Sequence, residues 1–213
     1  MQLSIDLNAD LGESTSTRRF RHEADIFPYL SSCNIACGFH GGDPIYIETA
    51  IRQALLHGLR IGAHPSYPDR PNFGRQPMEL PAEELQAVLR YQVGALKGMA
   101  ESLGGQLSYV KPHGALYHAL CHSEKQARLA VAVFQSIDPQ LQVMGLPGSA
   151  LSRAAQGAGM GFIREGFADR RYAADGQLLS RKQAGAVIHD PAEAVAQVRQ
   201  LLMEGMATTS TGS

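Results

Sequence analysis

Apolar and polar positions along the chain switch repeatedly between a two-residue period and a helical one. Leu3 to Asn8 alternates apolar with polar residues, which predicts a first strand. Cys33 to Ala36 is short, small and apolar, and predicts a second. From Pro44 to His57, residues Ile47, Ile51, Ala54 and Leu55 share one helical face, and Gly58 stops the helix. Arg60 to Ala63 reads as a third strand, followed by a proline-rich loop through Pro81. The longest helix is predicted from Pro81 to about Leu103, with a stripe of Leu85, Val88, Leu89, Leu96, Met99 and Leu103. Its first turn is acidic and Gly104-Gly105 ends it.

The alternation continues to the carboxyl end. Leu107 to Lys111 predicts strand four, Leu141 to Gly145 strand five, and Met160 to Arg164 strand six. Ser123-Glu124-Lys125-Gln126 is a capping box opening one helix, and Gly148 to Gln156 a short one. Asp190-Pro191 opens a last helix carrying Val195, Val198, Leu201 and Leu202. Strands alternating with helices predict a parallel α/β sheet with right-handed crossovers. Six strands are countable, one or two short of a closed (β/α) barrel. The pattern predicts one domain over residues 1–206 and a polar tail over 207–213.

Composition narrows the partners. The length of 213 residues suits one sizeable core, and 44% hydrophobic residues is ordinary for a globular protein. A net charge of −1 without a Lys/Arg block argues against nucleic acid. No apolar run approaches the ~20 residues that span a membrane. The amino-terminal residues Met1 to Asp6 lack the basic start of a signal peptide. Three cysteines without a CxxC pair fit neither a zinc site nor a disulfide framework, and the expectation is a cytoplasmic protein.

The chemistry gathers where strands end. Gly38-Phe39-His40-Gly41-Gly42-Asp43-Pro44 sets a histidine between glycines, which allow a sharp turn and close ligand approach. Asp43 and Asp190 read as helix caps. His64 precedes Pro65, and Lys111-Pro112-His113-Gly114 follows strand four. Asn8, Asp10 and Glu13 follow strand one, Asp69 and Arg70 follow strand three, and Glu165, Asp169 and Arg170 follow strand six. In a parallel barrel these loops open at one end, so the side chains converge on one cleft. A lysine closing a buried strand needs a partner, so Lys111 belongs to the set. His57 and His189 sit at a helix end and beside a helix start, His22, His118 and His122 lack glycine framing, and all five are set aside; Asp69-Arg70 also fits a surface ion pair.

Two chemistries suit the set. Asp10, His40 and His64 could hold a divalent metal that acidifies a water. Alternatively, carboxylates and histidines do acid–base work while Lys111 stabilises an oxyanion. Spacing leaves both open. There is no P-loop, no G-x-G-x-x-G and no serine-hydrolase elbow.

Longer motifs identify a family. Asp6-Leu7-Asn8-Ala9-Asp10-Leu11-Gly12-Glu13-Ser14 resembles the opening signature of the LamB/YcsF family, the A subunits of 5-oxoprolinase. Cys33 to Pro44, Gly62 to Arg70, Phe73-Gly74-Arg75, Val110 to Tyr117 and Arg164 to Arg170 extend the likeness from strand one to the last helix. The resemblance implies an irregular seven-stranded (β/α) barrel related to polysaccharide deacetylases and some glycoside hydrolases. It also implies ATP-dependent opening of 5-oxo-L-proline (pyroglutamate) to L-glutamate together with subunits B and C, ATP being a co-substrate of the complex. Carried onto this chain, it assigns chemistry to Asp10, His40, His64, Lys111, His113 and Glu165. Asn8, Glu13, Asp69, Arg70, Asp169 and Arg170 would orient the substrate.

Members of that family run on past the last helix into a strand ending in a Cys-Val-His-Gly-Asp-like motif, so the barrel is expected to be incomplete over these residues. Strands one and six would then be open edges. Two other functions fit the same residues: a stand-alone metal-dependent deacetylase or amidohydrolase, and a non-catalytic subunit that carries a small carboxylic acid.

Overall fold

The computed structural model describes residues 4–20, 23–181 and 183–205. Its core is a parallel sheet of six strands: β1 (Asn8–Leu11), β2 (Ser32–Ala36), β3 (Arg60–His64), β4 (Leu107–Val110), β5 (Gln142–Gly145) and β6 (Phe162–Arg164). They lie in sequence order, β1-β2-β3-β4-β5-β6, and curl into a half-barrel. Sequential parallel strands require a crossover each time, and the helices supply it. These are α1 (Glu23–Ile26), α2 (Pro44–Leu56), α3 (Ala82–Ser102), α4 (Gly114–His122), α5 (Glu124–Ile137), α6 (Ala150–Gly157) and α7 (Pro191–Glu204).

Strands buried on both faces carry few charges, and β2 is buried along its whole length. Ile35, Ile61, Val110 and Val143 meet the predicted stripes of α2 (Ile47, Ile51, Ala54) and α3 (Leu85, Leu89, Leu96) in one core. Ser123 caps α5 by accepting from the Gln126 amide, and Asp190 caps α7 by accepting from Ala192.

Some elements differ from the pattern. The alternation at Leu3–Asn8 does not mark the strand: β1 starts at Asn8, and Ile5 and Leu7 are about half exposed. The register explains this, because Asn8 pairs with Ser32 and Asp10 with Asn34, so Asn8 and Asp10 sit within the strand. His64 likewise lies in β3 instead of after it. The chain also folds a helix, α4, directly behind His113, where glycine and proline had read as loop. In α7 the buried residue is Gln197, while Val195 is exposed and the rest of the stripe is half-buried. Met1–Leu3, His22 and the 207–213 tail lie outside the described residues.

Two compact units divide the chain. Among the described residues, Asp6–Arg164 holds the six strands and α1 to α6, and residues 165–205 with Ser4 and Ile5 form the other. Within that second unit the Gln197 amide donates to the carbonyls of Phe167 (2.6 Å) and Arg170 (2.9 Å), fixing the 167–170 turn.

Gly62 is needed in β3. A Cβ there would stand 2.1 Å from the ring of Tyr109, its neighbour on β4. That missing side chain lets Tyr109 lie across the strand and reach β2, where the candidate site begins.

Candidate active site

Asn34 organises the floor of the site. The Tyr109 hydroxyl donates to Asn34 Oδ1 at 2.8 Å, which turns the amide nitrogen the other way. Asn34 Nδ2 then donates to Asn8 Oδ1 (2.7 Å) and Asp10 Oδ1 (2.9 Å), two residues of one face of β1. Lys111, the residue after β4, brings its ammonium to the same Asp10 oxygen at 2.9 Å. That is the partner a lysine at a buried strand end requires. Burial opposes the charge on Asp10, yet His64 and Lys111 beside it hold its carboxyl well below the usual range. Asp10 is 36% exposed, so the pair stands at the rim with one side open to solvent.

Behind this pair, three histidines and Glu13 converge. His40, His64 and His113 are buried, and one donor atom from each, with a Glu13 carboxylate oxygen, all lie within 4.8 Å of one another. His64 Nε2 stands 3.2 Å from Asp10 Oδ2 and 2.9 Å from His113 Nδ1. Glu13 Oε1 stands 3.0 Å from His40 Nε2 and 3.8 Å from His113 Nδ1. The rings of His40 and His113 stack at 3.7 Å and 7°. Burial pushes the His113 imidazole down to about 2, with His64 and His40 adding to the effect, and burial likewise lowers His40 well below its usual value. Burial raises Glu13. Burial therefore favours the neutral imidazole at His40 and His113.

Backbone carbonyls fix two of these rings. A carbonyl only accepts, so His64 Nδ1 carries the proton donated to Lys111 O at 2.7 Å. His113 Nε2 donates to Phe73 O at 2.9 Å in the same way. Phe73 can offer that carbonyl because it adopts a left-handed φ of 57°, rare for a residue with a side chain. Gly74 follows at φ 66°, and its absent side chain leaves room for both His40 and His113.

The structure thus brings together Asn8, Asp10, Glu13, His40, His64, Lys111 and His113. The convergent donor group differs from the one the sequence suggested for a metal: Glu13 and His113 join His40 and His64, while Asp10 is held by Lys111 and Asn34. Asp69 and Arg70 do not pair with each other. Asp69 accepts from the Asn72 side chain (2.7 Å) and the Gln76 amide (3.1 Å), and so shapes its own loop. Arg70 donates to Asp43 (2.8 Å) and to the carbonyls of Gly38 (2.6 Å) and Gly42 (2.7 Å). Asp43 therefore occupies the N-cap position of α2 without capping it; its carboxylate takes Arg70 and the Ser16 amide instead. Arg70 clamps the His40 loop from outside. Glu165, Asp169 and Arg170 belong to the second unit, where Glu165 and Arg170 are buried, Asp169 is exposed, and the Asp169 carbonyl accepts from Ile188.

Asn34, Phe73 and Tyr109 were not singled out from the sequence. Asn34 sat in plain view inside the small-residue strand, as the one amide among apolar neighbours, and that was the available signal. The three cysteines form no disulfide, and burial pushes the Cys33 and Cys37 thiols up to about 12, so neither serves as a nucleophile. No described helix is long and apolar enough to cross a membrane.

Comparison with known proteins places this architecture. A crystal structure of Lactam Utilization Protein from Thermus thermophilus superposes with a TM-score of 0.93 at 41% identity, over 98% of this chain and 84% of that one. The chain is 46% identical over its full length to the 5-oxoprolinase A subunit of Methylococcus capsulatus, covering 82% of that protein. It is 45% identical to the corresponding 5-oxoprolinase A subunit of Symbiobacterium thermophilum over 98% of its length, covering 80% of the relative. The LamB/YcsF family model matches residues 5–213. With that match running across all six parallel strands, the chain belongs to the LamB/YcsF family.

Proposed function

We propose that this chain is the A subunit of an ATP-dependent 5-oxoprolinase that opens 5-oxo-L-proline to L-glutamate with subunits B and C, in the cytoplasm. The observation that carries the reading is the Asp10–Lys111 pair, 2.9 Å apart, with one side open and backed by His64. Opening the lactam breaks its C–N bond. The oxygen of water ends in the new carboxylate, and the ring nitrogen becomes the amino group. Charge develops on the carbonyl oxygen during that step, and an ammonium held by a strand end is a preorganised partner for it. The ionised Asp10 is suited to orient the water or take its proton. Asn34, which also donates to Asn8, holds Asp10 in place, and the buried histidines lie beside it.

A five-membered lactam is a stable amide, which makes coupling to ATP reasonable. This chain carries no recognised phosphate-binding loop, so nucleotide handling falls to the complex. The relatives, named as one lettered subunit of an enzyme, fit that division. Glutamate formation from 5-oxo-L-proline, followed by chromatography, tests it. Turnover is expected when this chain, the partner subunits and ATP are all present, and not when any is left out. Turnover by this chain alone without ATP would instead support a stand-alone amidohydrolase.

A further inference from the structure

We propose that His64 Nε2, His113 Nδ1, His40 and the Glu13 carboxylate hold one divalent cation of the zinc class. The inference stands on donor geometry and not on the lactam reading. His64 Nδ1 and His113 Nε2 give their protons to backbone carbonyls, so in the neutral rings, the form that ligates a metal, the two nitrogens that face each other at 2.9 Å both present lone pairs. Asp10 Oδ2, 3.2 Å from the first, and Glu13 Oε1, 3.8 Å from the second, add two more acceptors. With both rings neutral these atoms face one another as acceptors, and a metal cation placed among them satisfies all of them at once.

The spacing suits a metal. Nitrogens bound to zinc at ~2.0–2.1 Å in a tetrahedron are about 3.3 Å apart, close to the separation here. Ligating histidines typically donate the remote ring N–H to a carbonyl or carboxylate, which fixes the tautomer; His64 and His113 both do so. In the same cluster His40 Nδ1 is buried without a hydrogen-bond partner. Three imidazoles and one carboxylate favour zinc or a neighbouring transition ion over magnesium or calcium, which prefer all-oxygen sites. When bound, such an ion supplies a Lewis acid beside Asp10.

Chelator-treated protein titrated with Zn²⁺ by calorimetry, and with Co²⁺ by visible absorption, tests the site. One equivalent is expected to bind, with Co²⁺ giving the d–d bands of a low-coordinate nitrogen-rich site. His64→Ala and His113→Ala should each weaken Zn²⁺ binding by about 100-fold or more, by loss of a ligand. His122→Gln, on the exposed end of α4, should leave it unchanged. Should the site variants fail to fold by circular dichroism, X-ray absorption of the zinc-loaded native chain still decides, since imidazole scattering is required. The proposal is overturned by less than a tenth of an equivalent bound, by zinc without imidazole scattering, or by unchanged affinity in folded His64→Ala and His113→Ala. Zinc binding without glutamate formation in the reconstituted complex would count against the lactam reading alone.

Discussion

Lys111→Met is expected to lower glutamate formation by the reconstituted complex about 10²–10³-fold while the fold survives. Removing one preorganised donor from a developing oxyanion has an effect of that size, corresponding to ~3–4 kcal/mol in the barrier. The stability change should be far smaller. The methionine keeps the apolar stem, and the Lys111 carbonyl that orients His64 is main chain and stays. Asp10 loses its ammonium, but it is 36% exposed and keeps its bond from Asn34, so water can replace the partner. Lys111→Arg should not restore the rate, because the forked guanidinium cannot fill the ammonium's place at 2.9 Å. The check is kcat measured beside urea unfolding. A loss of stability matching the loss of rate would show Lys111 to be a structural pin.

Gly74→Ala is the second large effect, and it is one of stability. At φ 66° an alanine costs about 1–2 kcal/mol from backbone strain alone. Its Cβ would also lie 2.8 Å from the His40 Cβ and 2.9 Å from the His113 ring. His40 Cβ is tied to backbone and cannot swing away, so the loop or the ring stack must move, adding about 1–3 kcal/mol of overpacking. The expected result is a loss of roughly 2–5 kcal/mol in urea unfolding. A change below about 0.5 kcal/mol would mean the Phe73–Gly74 turn relaxes freely.

How far these effects were visible in the sequence differs from residue to residue. His40 and His113 announced themselves because glycines beside them mark backbone that must turn sharply, a local property that one chain displays. The strand–helix alternation was equally local, and five of the six strands lie within two residues of where the pattern put them. The first did not, since Leu3, Ile5 and Leu7 alternate as a strand should. Register is settled by a partner, and β2 pairs with Asn8 to Leu11 instead. The helix α4 was hidden for a similar reason: Gly114 at φ 55° opens it, where a glycine ordinarily signals loop. Asn34, Tyr109 and Phe73 act through contacts 24 to 76 residues away in sequence, and no periodicity reports those. The exchange of Glu13 and His113 for Asp10 in the donor cluster depends on Lys111 claiming Asp10, again a contact between distant strands.

On the proposed function, the open side of the Asp10–Lys111 pair receives the lactam. A structure of the turnover-competent complex, frozen with 5-oxo-L-proline, tests it most directly. The lactam carbonyl oxygen is expected within hydrogen-bonding distance of Lys111 Nζ, with Asp10 facing the carbonyl carbon across a water. Lactam bound elsewhere in the complex, with Lys111 and Asp10 still joined only to each other, would contradict it.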